Sequence, residues 1–294
     1  MTHFHGIFPY LVSPVDQAKG VILESSLRHL IEHLISSGVH GLSPLGSTGE
    51  YAYLSQELRN EVVRITVDQA AGRVPVLAGV AGFSTSDACS QAEQYAKLGV
   101  DGMVLISQKM YPLSDKAQLS YFQTIAESFP EKSMTVYTNP GLLGDVLSIS
   151  LLNELSYIPN IEYVKDASSN TGRLLTMLNT FGERVKIFSA SAHIPLLVIK
   201  LGGVGWMAGP ACVLPKQCVE LYELATRGDW DTALAKQKEM WQINEAFTQY
   251  ALASCIKASL NIQGFNVGDP ILPQEPLNDV AIAHLQQIIA QLNE

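Results

Sequence analysis

Ile161-Glu162-Tyr163-Val164-Lys165-Asp166 is a short apolar, β-branched run closed by a lysine. A strand buried on both faces of a parallel sheet is close to continuously hydrophobic, so Lys165 reads as the C-terminal end of such a strand. An amine there is partly desolvated. Its pKa falls from about 10.4, and more of it is the nucleophilic free base. Such a lysine can form a Schiff base with a carbonyl compound. The alternative is a strand-end lysine whose head reaches solvent along its own apolar stem.

Runs of the same kind recur on either side, at intervals of very roughly 30 residues. They cover 6–11, 41–45, 74–80, 102–106, 134–138, 161–165, 185–190 and 204–208. Most are separated by stretches with helical spacing, such as 54–71 and 86–98. Ser55 is a candidate N-cap for the first of these, with Glu57 in its first turn. Eight strands alternating with helices predict an α/β fold, a parallel (β/α)8 TIM barrel. An open doubly wound sheet would want a glycine fingerprint after the first strand, and here that strand runs into Pro9 and Pro14. From about residue 221 the strand-like runs stop. Helical periodicity takes over at 230–251, 255–262 and 280–292, with a Gly- and Pro-rich loop over 264–276. The expected organisation is a barrel over 1–220 that carries the active site and a C-terminal helical appendage over 221–294.

The 294 residues are 47% hydrophobic, enough for one large domain or one domain with an appendage. No long apolar run is free of charge, and the first residues do not read as a secretory signal. A net charge of −9 argues against nucleic acid or an anionic membrane as the main partner. Cys89, Cys212, Cys218 and Cys255 are scattered, which predicts neither a zinc site nor a disulfide framework and suits a reduced cytoplasmic protein. His29 and His33 stand four apart on an expected helix, without the H-E-x-x-H pattern, and read as an ordinary pair.

In a (β/α)8 barrel the C-terminal strand ends build the site. The second run leads into Leu45-Gly46-Ser47-Thr48-Gly49-Glu50. Two hydroxyls framed by glycines, with exposed backbone N–H groups, suit a carboxylate, although the same tetrapeptide occurs in ordinary loops. The fifth run ends in Val136-Tyr137-Thr138-Asn139-Pro140. Neighbouring parallel strands lie about 5 Å apart, so Tyr137 could meet Lys165 and relay protons. Read singly, Tyr137 is a buried tyrosine with one satisfied hydroxyl. Read together, an amine, a phenol and an anion cradle form a kit for holding a 2-oxo acid as a lysine imine.

Gly46-Ser47-Thr48-Gly49-Glu50, Tyr137-Thr138-Asn139-Pro140 and Tyr163-Val164-Lys165-Asp166 resemble the three signatures of the dihydrodipicolinate synthase/N-acetylneuraminate lyase family. The resemblance covers essentially the whole chain, including Gly202-Gly203-Val204-Gly205 and the helical C-terminal segment. It implies a metal-independent class I aldolase, or a related lyase or dehydratase, built as a (β/α)8 barrel, usually a homotetramer, with no cofactor. Carried over, Lys165 is the Schiff-base lysine and Tyr137 the proton relay. Gly46, Ser47 and Thr48 bind the carboxylate of pyruvate or a larger 2-oxo acid. Tyr111 and Met207 complete the substrate-binding set.

The departures matter as much. Synthases of lysine biosynthesis carry an arginine shortly after the relay tyrosine, and the matching position here is Leu142. Sialic acid lyases carry acidic residues where this chain reads Ser189-Ala190-Ser191-Ala192-His193. Many members have two adjacent tyrosines where this chain has Met110-Tyr111, which opens the relay to alteration. Leu142, Leu143, Trp206 and Met207 suggest a less polar distal pocket, or plain core packing. The leading expectation is a cytoplasmic lyase acting through Lys165 on pyruvate or a related 2-oxo acid. The alternatives are a 2-keto-3-deoxy sugar acid dehydratase, a 4-hydroxy-tetrahydrodipicolinate synthase, and a barrel kept as a ligand-binding or regulatory protein.

Overall fold

The strands are β1 (Gly6–Pro9), β2 (Val15–Asp16), β3 (Val21–Ile22), β4 (Leu77–Val80), β5 (Gly102–Leu105), β6 (Ser133–Thr138), β7 (Ile161–Asp166), β8 (Lys186–Ser189) and β9 (Gly205–Ala208). The helices begin with α1 (Glu24–Ser36), α2 (Gln56–Ala70), α3 (Thr85–Lys97), α4 (Asp115–Ser128), α5 (Pro140–Leu143), α6 (Ile149–Leu155), α7 (Thr171–Phe181) and α8 (Pro195–Lys200). They continue with α9 (Pro215–Thr226), α10 (Trp230–Gln249), α11 (Leu252–Ile262) and α12 (Asp279–Leu292). These come from a computed structural model that describes residues 3–292. The chain forms two compact units, one of residues up to Val76 together with Ala208 onward, the other Leu77–Met207.

The second unit holds an array of parallel strands in the order β9-β8-β7-β6-β5-β4. Each strand neighbours the next in sequence, with a helix between, as the repeat predicts. β5 and β6 are buried at every position, the pattern of strands covered on both faces. Every reactive side chain considered below in this unit stands at or just beyond a strand's C-terminal end.

In the first unit, the run at 41–45 was expected to be a strand and makes only isolated parallel bridges, Tyr10 to Ser43 and Leu42 to Val76. The reason is local. Pro44 has no N–H to donate, and Leu45 turns into the left-handed region at φ 63°. Pairing therefore stops at Ser43, and the loop 45–50 begins at once. The short antiparallel ladder of β2 and β3, Val15 with Ile22 and Asp16 with Val21, has no counterpart in the repeat.

Helix starts follow the sequence closely. Ser55 accepts from the Leu58 N–H at 3.3 Å and caps α2. Ser84 accepts from the Asp87 N–H at 3.0 Å and caps α3. His29 and His33 both pack on Phe265, with ring centroids 5.0 Å away in each case. Among the described residues, no group of three or more His, Cys, Asp or Glu side chains is arranged to hold a metal. No described helix is long and apolar enough to cross a membrane.

Candidate active site

In the second unit, β6 and β7 run in register so that Tyr137 pairs with Lys165 and Thr138 with Asp166. Lys165 Nζ lies 3.9 Å from the centroid of the Tyr137 ring. The lysine is only 3% exposed. Burial drives its pKa well below the ordinary amine value, because an ammonium there would lose its hydration.

Asn139 sets the state of the phenol. Its Oδ1 accepts from the Gly141 N–H at 2.9 Å, which makes it the N-cap of α5. A backbone N–H can only donate, so the other face of the amide must be Nδ2. That group donates to the Tyr137 hydroxyl at 2.7 Å. Tyr137 Oη is thus an acceptor toward Asn139, and its own O–H proton is not used in that bond. That is the arrangement a proton relay needs.

The strand ends are tied by a closed circuit. Thr138 Oγ1 accepts from the Leu147 N–H at 3.0 Å, and Arg173 Nη2 donates to the Leu147 carbonyl at 2.6 Å. Arg173 Nε forms an ion pair with Asp166 Oδ1 at 3.6 Å, and Asp166 Oδ2 accepts from the Ser168 hydroxyl at 2.6 Å. Burial raises the Asp166 pKa, against the opposing pull of Ser168 and Arg173. Hydroxyls gather at the ends of β7 and β8: Ser169, after β7, and Ser191, after β8, are 3.1 Å apart, and Ser189, the last residue of β8, donates to the Ser191 carbonyl at 3.1 Å.

In the first unit, the loop 45–50 is two overlapping turns, with Gly49 N–H donating to Gly46 O and Glu50 N–H to Ser47 O. Among the described residues, nothing accepts from the N–H groups of Ser47 or Thr48, or from their hydroxyls. Those four donors sit on adjacent residues, the pattern expected of an anion nest. Gly46 lies so close to Tyr10 that a Cβ would stand 1.8 Å from its ring, and a Cβ on Gly209 would stand 2.6 Å from Thr48 Oγ1. The glycines let the backbone pack where no side chain fits.

The remaining residues divide by burial. Met110 and Tyr111 are exposed on the segment after β5, at 74% and 76%. Met207, Trp206 and Leu143 are buried, so of the four apolar residues expected near a distal pocket only Leu142 is exposed. A surface groove of about 580 Å³ in the second unit lies elsewhere: Ile158, Pro159 and Asn160 line it and lead into the start of β7, whereas Lys165 stands at its end.

Parallel strands alternating with helices, with reactive side chains at the strands' C-terminal ends, define the class of α/β enzymes that work at that edge of the sheet. Within that class, the chain belongs to the dihydrodipicolinate synthetase family, whose sequence profile matches residues 3–292. It is 31% identical to a 4-hydroxy-tetrahydrodipicolinate synthase of Methanospirillum hungatei over 290 residues, 98% of this chain and 99% of the relative. A second enzyme of that name, from Methanosphaerula palustris, is 32% identical over 290 residues, again 98% and 99%. Among solved structures, YagE, a dihydrodipicolinic acid synthase family protein of E. coli K12 in complex with pyruvate, aligns with a TM-score of 0.93. It is 26% identical and covers 99% of each chain.

Two features were not found from the sequence. The hydrogen bond from Asn139 to Tyr137 depends on an amide orientation that only the backbone reveals. The ion pair between Glu50 and Lys257 did leave a trace, because Lys257 is the only charged residue in the apolar α11.

Proposed function

We propose that this protein is a class I lyase that forms an imine between Lys165 and a 2-oxo acid, with pyruvate the simplest candidate. The observation that carries the reading is Lys165 itself, buried at a strand end against Tyr137 with its pKa pushed down by burial alone. A second buried lysine, Lys257, is also lowered by burial, but Glu50 and Asp269 pull it back toward the ammonium. Lys165 is the better nucleophile.

In the proposed sequence, the Lys165 amine adds to the ketone and water leaves, giving the imine. Loss of a proton from C3 gives the enamine, whose carbon attacks an aldehyde to make a C–C bond; the reverse breaks one. Tyr137 carries protons to and from the hydroxyl that forms or leaves. The donors of Gly46, Ser47 and Thr48 hold the carboxylate. Tyr111 and Met207 belong to the rest of the substrate site. The reading includes a (β/α)8 barrel over 1–220 with a helical appendage over 221–294 as the architecture we propose, and a cytoplasmic homo-oligomer, a dimer or tetramer, as the proposed working form.

The names of the relatives favour a second reading, 4-hydroxy-tetrahydrodipicolinate synthase. Leu142, in place of an arginine that would hold a second carboxylate, favours a less charged aldehyde. Dehydration of a 2-keto-3-deoxy sugar acid starts from the same imine. The test common to all is reduction with borohydride in the presence of pyruvate. One reduced adduct on Lys165 by peptide mass spectrometry is the expected result. Full activity without an adduct, or an adduct on another lysine alone, would remove the reading.

A further inference from the structure

Glu50 ends the loop 45–50 in the left-handed region, at φ 54°. That conformation is unfavourable for a residue with a Cβ and persists only where its surroundings impose it. Here the surroundings are the C-terminal helical segment. Lys257 Nζ lies 2.5 Å from Glu50 Oε2, and both side chains are wholly buried. Glu50 Oε1 accepts from the Ile271 N–H at 2.6 Å and from Gln274 Nε2 at 2.8 Å. Lys257 in turn donates to the Asp269 carbonyl at 2.9 Å.

On the other side, the Ser13 hydroxyl donates to the Gly49 carbonyl at 2.7 Å. The Gly49–Glu50 peptide is therefore held from both sides. The N–H groups of Gly49 and Glu50 are the ones that close the turns onto Gly46 and Ser47. The accepting carbonyls of Gly46 and Ser47 belong to the same peptide groups as the N–H groups of Ser47 and Thr48, so the anchorage of Glu50 connects to those donors through two hydrogen bonds.

A buried ion pair is seldom the most stable way to fill a core, because well-packed apolar residues often serve as well or better. Its attested use is to select one geometry over others. We propose that the Glu50–Lys257 pair positions the carboxylate cradle, aiming the donors of Ser47 and Thr48 without touching the substrate. This rests on the cradle reading above. Glu50 and Lys257 are positioning residues for substrate recognition, and the C-terminal helices serve substrate binding as well as the fold.

The test separates carboxylate recognition from imine chemistry. Borohydride-trapped adduct on Lys165 is measured against the concentration of pyruvate and of hydroxyacetone, a ketone without a carboxylate. Lys257→Met, Glu50→Gln and the double variant, which leaves no unpaired buried charge, are compared with the unmodified protein, with circular dichroism as the check on folding. The half-saturating concentration should rise about ten- to a hundredfold for pyruvate, the size of a charged hydrogen-bond effect, and stay nearly unchanged for hydroxyacetone. Equal losses for both ketones, no loss for pyruvate, or variants that all unfold would assign the pair to the fold alone and overturn the proposal. If the unmodified protein forms no Lys165 adduct, or shows no preference for pyruvate over hydroxyacetone, the underlying reading has failed instead.

Discussion

Burying the Lys165 amine has a thermodynamic consequence. Unfolded, the side chain takes up a proton below about its ordinary value of 10.5; folded, burial delays that uptake to a much lower pH. Between the two values the unfolded chain binds more protons, so this residue makes folding less favourable as pH falls from about 10.5. Lys165→Met should therefore abolish turnover and raise the melting temperature at pH 7, with the gain shrinking as pH approaches 10. Thermal melts across pH check this, and a melting temperature that falls by several degrees at pH 7 would contradict it. Tyr137 makes a complementary case. Its hydroxyl is fixed as an acceptor from Asn139, so Tyr137→Phe should lower kcat by about 10² to 10⁴ while pyruvate binding changes little. Steady-state kinetics decide; a kcat within a few fold of the unmodified protein would pass the proton role to another group, Tyr111 first.

At the scale of elements, Ser55 is the clearest device that local sequence announces. Ser55→Ala removes the acceptor for the Leu58 N–H and should cost about 1 kcal/mol, read as a shift in denaturant midpoint with unchanged slope. The parallel strands were legible for a related reason: the runs 134–138 and 161–165 are strand-like stretches bounded by helical spacing, and that contrast survives without any partner in view. The run at 41–45 was misread because hydrophobicity says nothing about a missing N–H at Pro44 or a left-handed Leu45. The β2–β3 ladder is too short to leave a periodicity. In the site, Lys165 and Tyr137 could be placed because each ends a recognisable strand. Asn139 and Lys257 could not, since their partners are set by a turn and by a contact spanning 207 positions of sequence, from Glu50 to Lys257.

For the whole molecule, acid is the expected weak side. His40 Nδ1 accepts the Ile7 N–H at 3.2 Å, so the ring must be unprotonated at that nitrogen. Its pKa is lowered from 6.5 by burial and then by His5, with Glu223 opposing. The unfolded chain then binds more protons below about pH 6.5, and stability is lost as pH falls from there. His33, lowered by burial and by Lys216 and His29, adds to the same trend. Melting temperature should drop on acidification below pH 6.5, and His40→Gln should flatten part of that slope. Substrate choice is the other molecular property. With Leu142 where a bidentate arginine contact would be needed, aspartate semialdehyde should be a poorer partner for the enamine than less polar aldehydes, by roughly tenfold or more in kcat/KM. A preference of that size in the opposite direction would make the lysine-pathway synthase the better assignment.

The anchorage of Glu50 also bears on how the protein is made. The loop at 45–50 is among the early parts of the chain to leave the ribosome, yet Lys257, Ile271 and Gln274 are among the late ones. During synthesis the N-terminal parts of a chain emerge first, and a domain generally folds as a unit once its parts are present. Until those late residues arrive, the carboxylate of Glu50 has none of the partners that hold it, and the loop has no reason to keep its turn. If the loop holds the substrate carboxylate as proposed, a nascent chain would stay blind to that substrate through most of synthesis, and the ability to bind would arrive late, with the segment that carries Lys257, Ile271 and Gln274.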